Sequence, residues 1–418
     1  MRYPILVFLA LLCALSAAMA EESDGARLDR VERENAELRS RISALEEGQS
    51  GIETAIEGLL AEEEGLGLNM VARTGEVRAM LQVFGDVGFD WAERPPSERA
   101  HSRFFLGGLN LFFTAQVGQH FSVLSETVFK VSVGGDHDSH EFDQERLSIQ
   151  WTFSDLLYLK LGLDHGPVSR WNNLYHHGRW LETTIDRPML ARFEGSGGFL
   201  PMHNSGLEAG GRLHPSFGTL QYVIILSNGR GSEATDPQKF SDRNDGKAIE
   251  FGLQLAPNCM EGVRFGIHFR LDDIPPIPSD PLRARTIRER IASAFFQFQG
   301  EHLEILAEVV FLENDDRTSG MTYGAASGYI QIAYRVHPDW LPYLRFDVRE
   351  MEMGDPYFMP LGRDLDRWEQ LFGVRYDAAA NIAIKLEFGF GRGEVRGESD
   401  VITNESFFRV GLQVAWVF

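Results

Sequence analysis

Residues 405–418 read ESFFRVGLQVAWVF and alternate apolar and polar side chains up to Phe418. Phe408, Val410, Leu412, Val414, Trp416 and Phe418 fall on one face of a strand, and Arg409, Gly411, Gln413 and Ala415 on the other. So many large apolar groups on one face need either a second sheet above them or lipid, while the opposite face is wet. Residues 382–391 repeat the pattern, with Ile382, Ile384, Leu386, Phe388 and Phe390 on one side and Lys385, Glu387, Gly389 and Gly391 on the other. Two such strands in succession predict a meander, and the fold depends on whether its sheet closes.

Outward from this pair, the chain beyond Gly67 contains no run of about 20 apolar residues, so no helix is expected to cross a membrane. Runs of roughly ten alternating residues recur instead, separated by Gly, Pro, Asn and Asp. They predict strands near 76–90, 102–116, 120–133, 141–153, 156–164, 205–214, 219–227 and 247–256, and a second set near 262–272, 287–298, 302–313, 323–336, 340–351, 366–377, 381–391 and 405–418. Links after the even strands are short, such as VGQH, HPSFG, QGEH and VHPD. Links after the odd ones include the long polar WAERPPSERAH, SNGRGSEATDPQKFSDRNDG, DIPPIPSDPLRAR and GRGEVRGESDVIT. Short turns on one side and long loops on the other predict an all-β fold over residues 65–418, a transmembrane antiparallel β-barrel of about 16 strands. A ring of that size exceeds what side chains alone can fill, so an aqueous lumen is expected.

The N-terminus, MRYPILVFLALLCALSAAMA, has one Arg, an apolar run and Ala18-Met19-Ala20, the form of a signal peptide over residues 1–20. Cleavage there would leave Cys259 alone, without a disulfide framework. Between Arg27 and Leu60 the period becomes seven: Leu28, Asn35, Ile42, Gln49 and Ile56 share one heptad position, and Val31, Leu38, Leu45, Ile52 and Leu59 another. A self-associating coiled-coil helix is predicted over residues 21–64, where 14 acids face 5 bases, with a hinge at Gly65 and Gly67. The formal charge of -21 argues against nucleic acid as a partner.

With its secretory signal, its alternating strands and its terminal Trp416-Val417-Phe418, the chain resembles the outer-membrane porins of Gram-negative bacteria. Its layout, a short coil before a sixteen-stranded barrel, is similar to that of the phosphate-selective porins. The resemblance implies a cell outer-membrane location with the coil in the periplasm, contact with membrane lipid, and assembly as a homotrimer. It also implies that Trp416 and Phe418 act as the signal to the barrel-assembly machinery, and that small solutes or anions diffuse through.

The longest link, residues 165–203, corresponds to the porin loop that folds inward. It is expected to form the pore constriction, with Arg170, Arg179, Arg187 and Arg192 facing Glu182, Asp186 and Glu194 across the lumen. His176 and His177 in this loop lack the ligand spacing of zinc and are read as a solvated or lumen-facing pair, not a metal site. The polar faces of the strands assign Lys130, Arg146, Lys160, Arg212, Arg264, Arg270, Arg335, Arg345, Arg349, Arg375, Lys385 and Arg409 to the pore lining. The same rule assigns Asp86, Glu126, Glu208, Glu250, Glu304, Glu308, Asp347 and Glu387. Bases outnumber acids 12 to 8 on these assignments, which predicts a mild anion preference.

No GxSxG elbow, P-loop or HExxH occurs, and no cofactor or enzymatic activity is expected. The leading expectation is a porin for passive diffusion of small hydrophilic solutes. The alternatives are a structural envelope tether acting through the coil, and a barrel that sheathes a periplasmic or extracellular partner.

Overall fold

The computed structural model describes residues 70–74, 77–93, 101–134, 137–175, 178–192, 198–234, 242, 245–361, 365–396 and 401–418. The expected signal peptide and coiled coil lie outside the described residues, as do His176, His177 and Glu194.

The strands are β1 (Met70–Thr74), β2 (Val77–Glu93), β3 (His101–Val117), β4 (Phe121–Gly134), β5 (His137–Ser154), β6 (Leu157–His165), β7 (His203–Leu213), β8 (Gly218–Ser227) and β9 (Ala248–Pro257). They continue as β10 (Val263–Ile274), β11 (Ile287–Gln299), β12 (Leu303–Asp316), β13 (Met321–Tyr334), β14 (Trp340–Met351), β15 (Arg367–Ala379), β16 (Ile382–Arg396) and β17 (Ile402–Val417). From β2 onward each pairs antiparallel with the next, and β17 returns to β2 over Phe408↔Glu93 to Val417↔Phe84. The sheet therefore closes into a sixteen-stranded all-β barrel in which every strand of the ring has a partner on both sides. The short β1 stands outside this ring. It pairs with β2 over Met70↔Leu81 to Thr74↔Val77, along the part of the β2 edge that β17 does not reach.

Alternation explains which side faces out. Leu412, Leu386 and Phe390 are exposed on the outer wall, while their neighbours Gln413, Lys385 and Glu387 are buried inside. Phe104 is 87% exposed and Phe142 66%, as expected of side chains whose solvent is hydrocarbon. Aromatic pairs gather near both ends of the wall. Phe121 stacks on Trp151 at 5.5 Å, and the tilted rings of Trp340 and Tyr376 lie 4.6 Å apart, both on the turn side. Phe89 meets Phe104 at 5.1 Å and Trp91 meets Phe408 at 5.8 Å on the loop side. Such rings suit the two water-facing boundaries of a membrane.

Inside, glycines make room for rings that lie flat on the wall. Phe105 covers its cross-strand partner Gly88, and Phe407 covers Gly391; a Cβ on either glycine would fall 2.5 Å from the ring. The wall is uneven in height: β5 has 18 residues and β6 only 9.

Candidate functional site

The link between β6 and β7 enters the barrel. Its helix α1 (Arg170–Tyr175) is held at its start by Glu308 of β12, whose carboxylate accepts from the amides of Arg170 and Trp171, both at 2.7 Å. Further along, the Ile185 amide donates to Glu387 of β16 at 3.1 Å and the Met189 amide to Asp347 of β14 at 2.7 Å.

Three wall bases then hold the loop main chain. Arg345 of β14 donates to the carbonyl oxygens of Asp186 (2.6 Å) and Arg187 (3.0 Å). Arg375 of β15 reaches those of Trp180 and Glu182, and Lys385 of β16 those of Arg179 (2.6 Å) and Thr184 (3.1 Å). These side chains were expected to line water. Instead the loop covers Arg345 and Lys385, because carbonyl oxygens that would otherwise lose their hydration inside the barrel find cationic donors there.

The loop charges pair locally or with the wall. Arg179 meets Glu182 within the loop at 2.9 Å, so these two do not face each other across a lumen. Arg192 meets Glu369 of β15 at 2.7 Å. Asp186 meets Arg409 of β17, which also reaches Glu369 (2.9 Å) and Glu387 (3.1 Å). Arg187 lies with its guanidinium 5.2 Å over the Trp171 ring, and burial pushes it down to about 9, with Arg179 adding to the effect. Arg170 donates to the Gln297 side chain at 2.9 Å; it is lowered mainly by burial and next by Arg264.

An apolar core sits inside the barrel on the β10–β14 side. Val168, Trp171, Leu190, Phe199, Leu200 and Met202 of the loop pack there with Tyr357, Phe358 and the inward Ile291, Leu306, Val310 and Leu312. Sequence reasoning missed this core, although β12 carries apolar side chains on both faces, the signature of a strand buried on both sides. Arg230 was also missed. From the loop after β8 it donates to Asp272 and Glu289 and to the Phe199 carbonyl, joining two loops to the wall.

The remaining predicted lining residues are placed as follows. Arg146 meets Glu126 at 2.5 Å, Lys160 meets Asp164 (2.8 Å) and Glu208 (2.9 Å), and Lys130 meets Glu145 at 3.3 Å. Arg270 is buried between Glu250 and Asp272. Arg335 meets Asp377 at 3.3 Å, and Arg349 donates to the Leu365 carbonyl at 3.2 Å. Arg212 and Arg264 are exposed, and among the described residues no carboxylate stands within ion-pair distance of either. Glu145, Asp272, Glu289 and Glu369 join the inner face beyond those read from sequence and cancel the expected excess of bases. Glu145 is turned inward by a bulge, the register slipping between Glu126 and Thr127, and there it meets His203 at 2.7 Å.

Two cavities inside the barrel are lined by described residues. One of about 720 Å³ opens on the long-loop side between β2–β4, β15–β17 and the loop, lined by Asp90, Arg103, Lys130, Arg187, Arg367 and Arg409 among others. The other, of about 290 Å³, opens on the turn side along β6–β11, lined by Lys160, Arg170, Glu208, Arg212, Gln221 and Gln254 among others.

A closed sixteen-stranded wall with lipid-facing apolar groups outside and paired charges inside defines a membrane β-barrel with an inturned loop. Solved structures share this fold at low identity. OmpT, an outer membrane protein of Vibrio cholerae, is 9% identical, with a TM-score of 0.56 over 84% of this chain and 100% of that one. The anion-selective porin from Comamonas acidovorans is 11% identical, with a TM-score of 0.57 over 82% and 100%. The outer membrane channel DcaP of Acinetobacter baumannii is 9% identical, with a TM-score of 0.55 over 83% and 99%. No family model matches the sequence, and no curated protein matches it.

Proposed function

We propose that the chain is a porin of a Gram-negative outer membrane, passing small hydrophilic solutes by diffusion with a mild preference for anions. The observation that carries the reading is the long inturned loop between β6 and β7, lying across a charged lumen inside a wall whose outer face suits lipid. Arg170, Arg179, Glu182, Asp186, Arg187 and Arg192 take the constriction role, and His176, His177 and Glu194 belong to the same loop. The anion preference rests on Arg212 and Arg264, two exposed lining bases with no carboxylate within ion-pair distance among the described residues. Homotrimer assembly is part of the proposal and is supported by a neighbour of the same fold solved in a trimer form. The periplasmic coil and the phosphate-selective likeness remain part of the proposal on sequence grounds.

The test is planar-bilayer conductance of the purified protein across a KCl gradient. Steps in threes with a reversal potential toward chloride are expected. A protein that never conducts sinks the porin reading and moves the tether or sheath to the front.

A further inference from the structure

The smaller cavity carries an ordered row of polar groups. Arg212 of β7, Gln221 of β8, Gln254 of β9 and Gly266 of β10 are direct cross-strand partners in turn, and Phe295 of β11 continues the row. Leu213, Ile224, Phe251 and Ile267 of the same strands are exposed on the outer wall, so alternation turns the row into the barrel. Gly266 makes room for the last member: a Cβ there would stand 2.5 Å from the Phe295 ring. The guanidinium of Arg170 lies 5.4 Å over that ring. One cavity wall thus runs from a cation through two carboxamides to a second cation.

The acids of this cavity are already engaged. Lys160 bridges Asp164 and Glu208, and Glu308 accepts from the amides of Arg170 and Trp171. Arg212 has no carboxylate within ion-pair distance among the described residues, and the Arg170 side chain donates to the neutral Gln297 oxygen. The side-chain amides of Gln221 and Gln254 are half-buried and have no hydrogen-bond partner among the described residues. A carboxamide donates and accepts, as a hydroxyl does, whereas a guanidinium only donates and matches a carboxylate. The cavity volume of about 290 Å³ is near the lower end for small-ligand pockets, which limits the occupant to the size of one monosaccharide.

We infer that this cavity binds a sugar acid, a polyhydroxy carboxylate of monosaccharide size. Arg212 takes the carboxylate, Gln221 and Gln254 take hydroxyls, and Arg170 closes the far end of the row. As an assignment of the transported solute the inference rests on the porin reading, whereas binding is measurable without it.

Calorimetry on the purified protein in detergent at low salt compares gluconate with glucose, which lacks the carboxylate, and with hexanoate, which lacks the hydroxyls. Gluconate is expected to bind about tenfold or more tightly than either, because a site built for both groups leaves one set unpaired with each analogue. Arg212→Gln should erase the advantage over glucose, and Gln221→Leu with Gln254→Leu the advantage over hexanoate. Gluconate that fails to bind, or that binds the parent no more tightly than glucose or than hexanoate, overturns the site, as does an advantage retained in both variants. In planar bilayers, gluconate added on the turn side should reduce KCl conductance saturably. Conductance without gluconate binding removes the site and leaves the porin reading standing. Selective gluconate binding by a protein that never conducts removes the porin reading and upholds the site.

Discussion

Lys385 Nζ lies 2.6 Å from the carbonyl oxygen of Arg179 and reaches Thr184 as well, so a cation on the inner wall is spent on main chain and not on water. Hydrogen bonds to a charged donor contribute about 1.5–3 kcal/mol each. Lys385→Met is expected to leave the barrel intact and to raise hydrogen exchange at residues 178–187 by one to two orders of magnitude. Exchange unchanged from wild type there would remove the clamp role.

Arg345 and Asp347 are fully buried and paired at 2.7 Å, with the loop above them. Arg345→Met leaves the carboxylate without its partner and should cost about 3–5 kcal/mol. Arg212→Met, on an exposed base, should stay within about 0.5 kcal/mol. Denaturant unfolding of the two variants in detergent separates them, and similar losses would contradict the burial difference.

Leu412 faces lipid, and Leu412→Arg should cost about 2–4 kcal/mol if it lies near the midplane. Gly411→Arg would be tolerated if that position simply faced water, but the structure sets Ile185 against it. The expected result is therefore two different defects: lower barrel stability for Leu412→Arg, and faster proteolysis of the 178–187 segment for Gly411→Arg.

Gly391→Ala places a Cβ 2.3 Å from the Trp368 carbonyl oxygen and 2.5 Å from Phe407. Overpacking of this kind costs about 1–3 kcal/mol. Gly320→Ala, with open space around it but a positive φ, should cost less, about 1 kcal/mol from backbone strain alone. Thermal unfolding that ranks the pair in the opposite order would rule out the ring-on-glycine fit.

The wall was legible because strands such as 382–396 and 402–417 are apolar on one face only, so their alternation reports both the strand and its side. Strand ends near Trp340 and Ile287 fell where turn residues flank them. The filled half of the lumen was not legible in the same way. Leu306 and Val310 sit on a strand apolar on both faces, and alternation cannot say whether the second face meets a loop or another sheet. Arg345 and Lys385 read as wet for a related reason: periodicity assigns them to the inner face but carries no information on what lies across from it. Glu145 was hidden by a bulge, a break of register that a period of two cannot express.

The ladder of β1 on β2 sets how the barrel would answer to force. A pull on the chain ahead of Met70 loads the pair Met70↔Leu81 first and would peel five residue pairs in sequence, like a zipper. The seam that closes the ring, where Phe418 and Val83 exchange hydrogen bonds of 2.8 and 2.9 Å, lies beyond that run. Tension from the N-terminal side would therefore dissipate in a sacrificial ribbon, leaving the hoop of sixteen strands sealed.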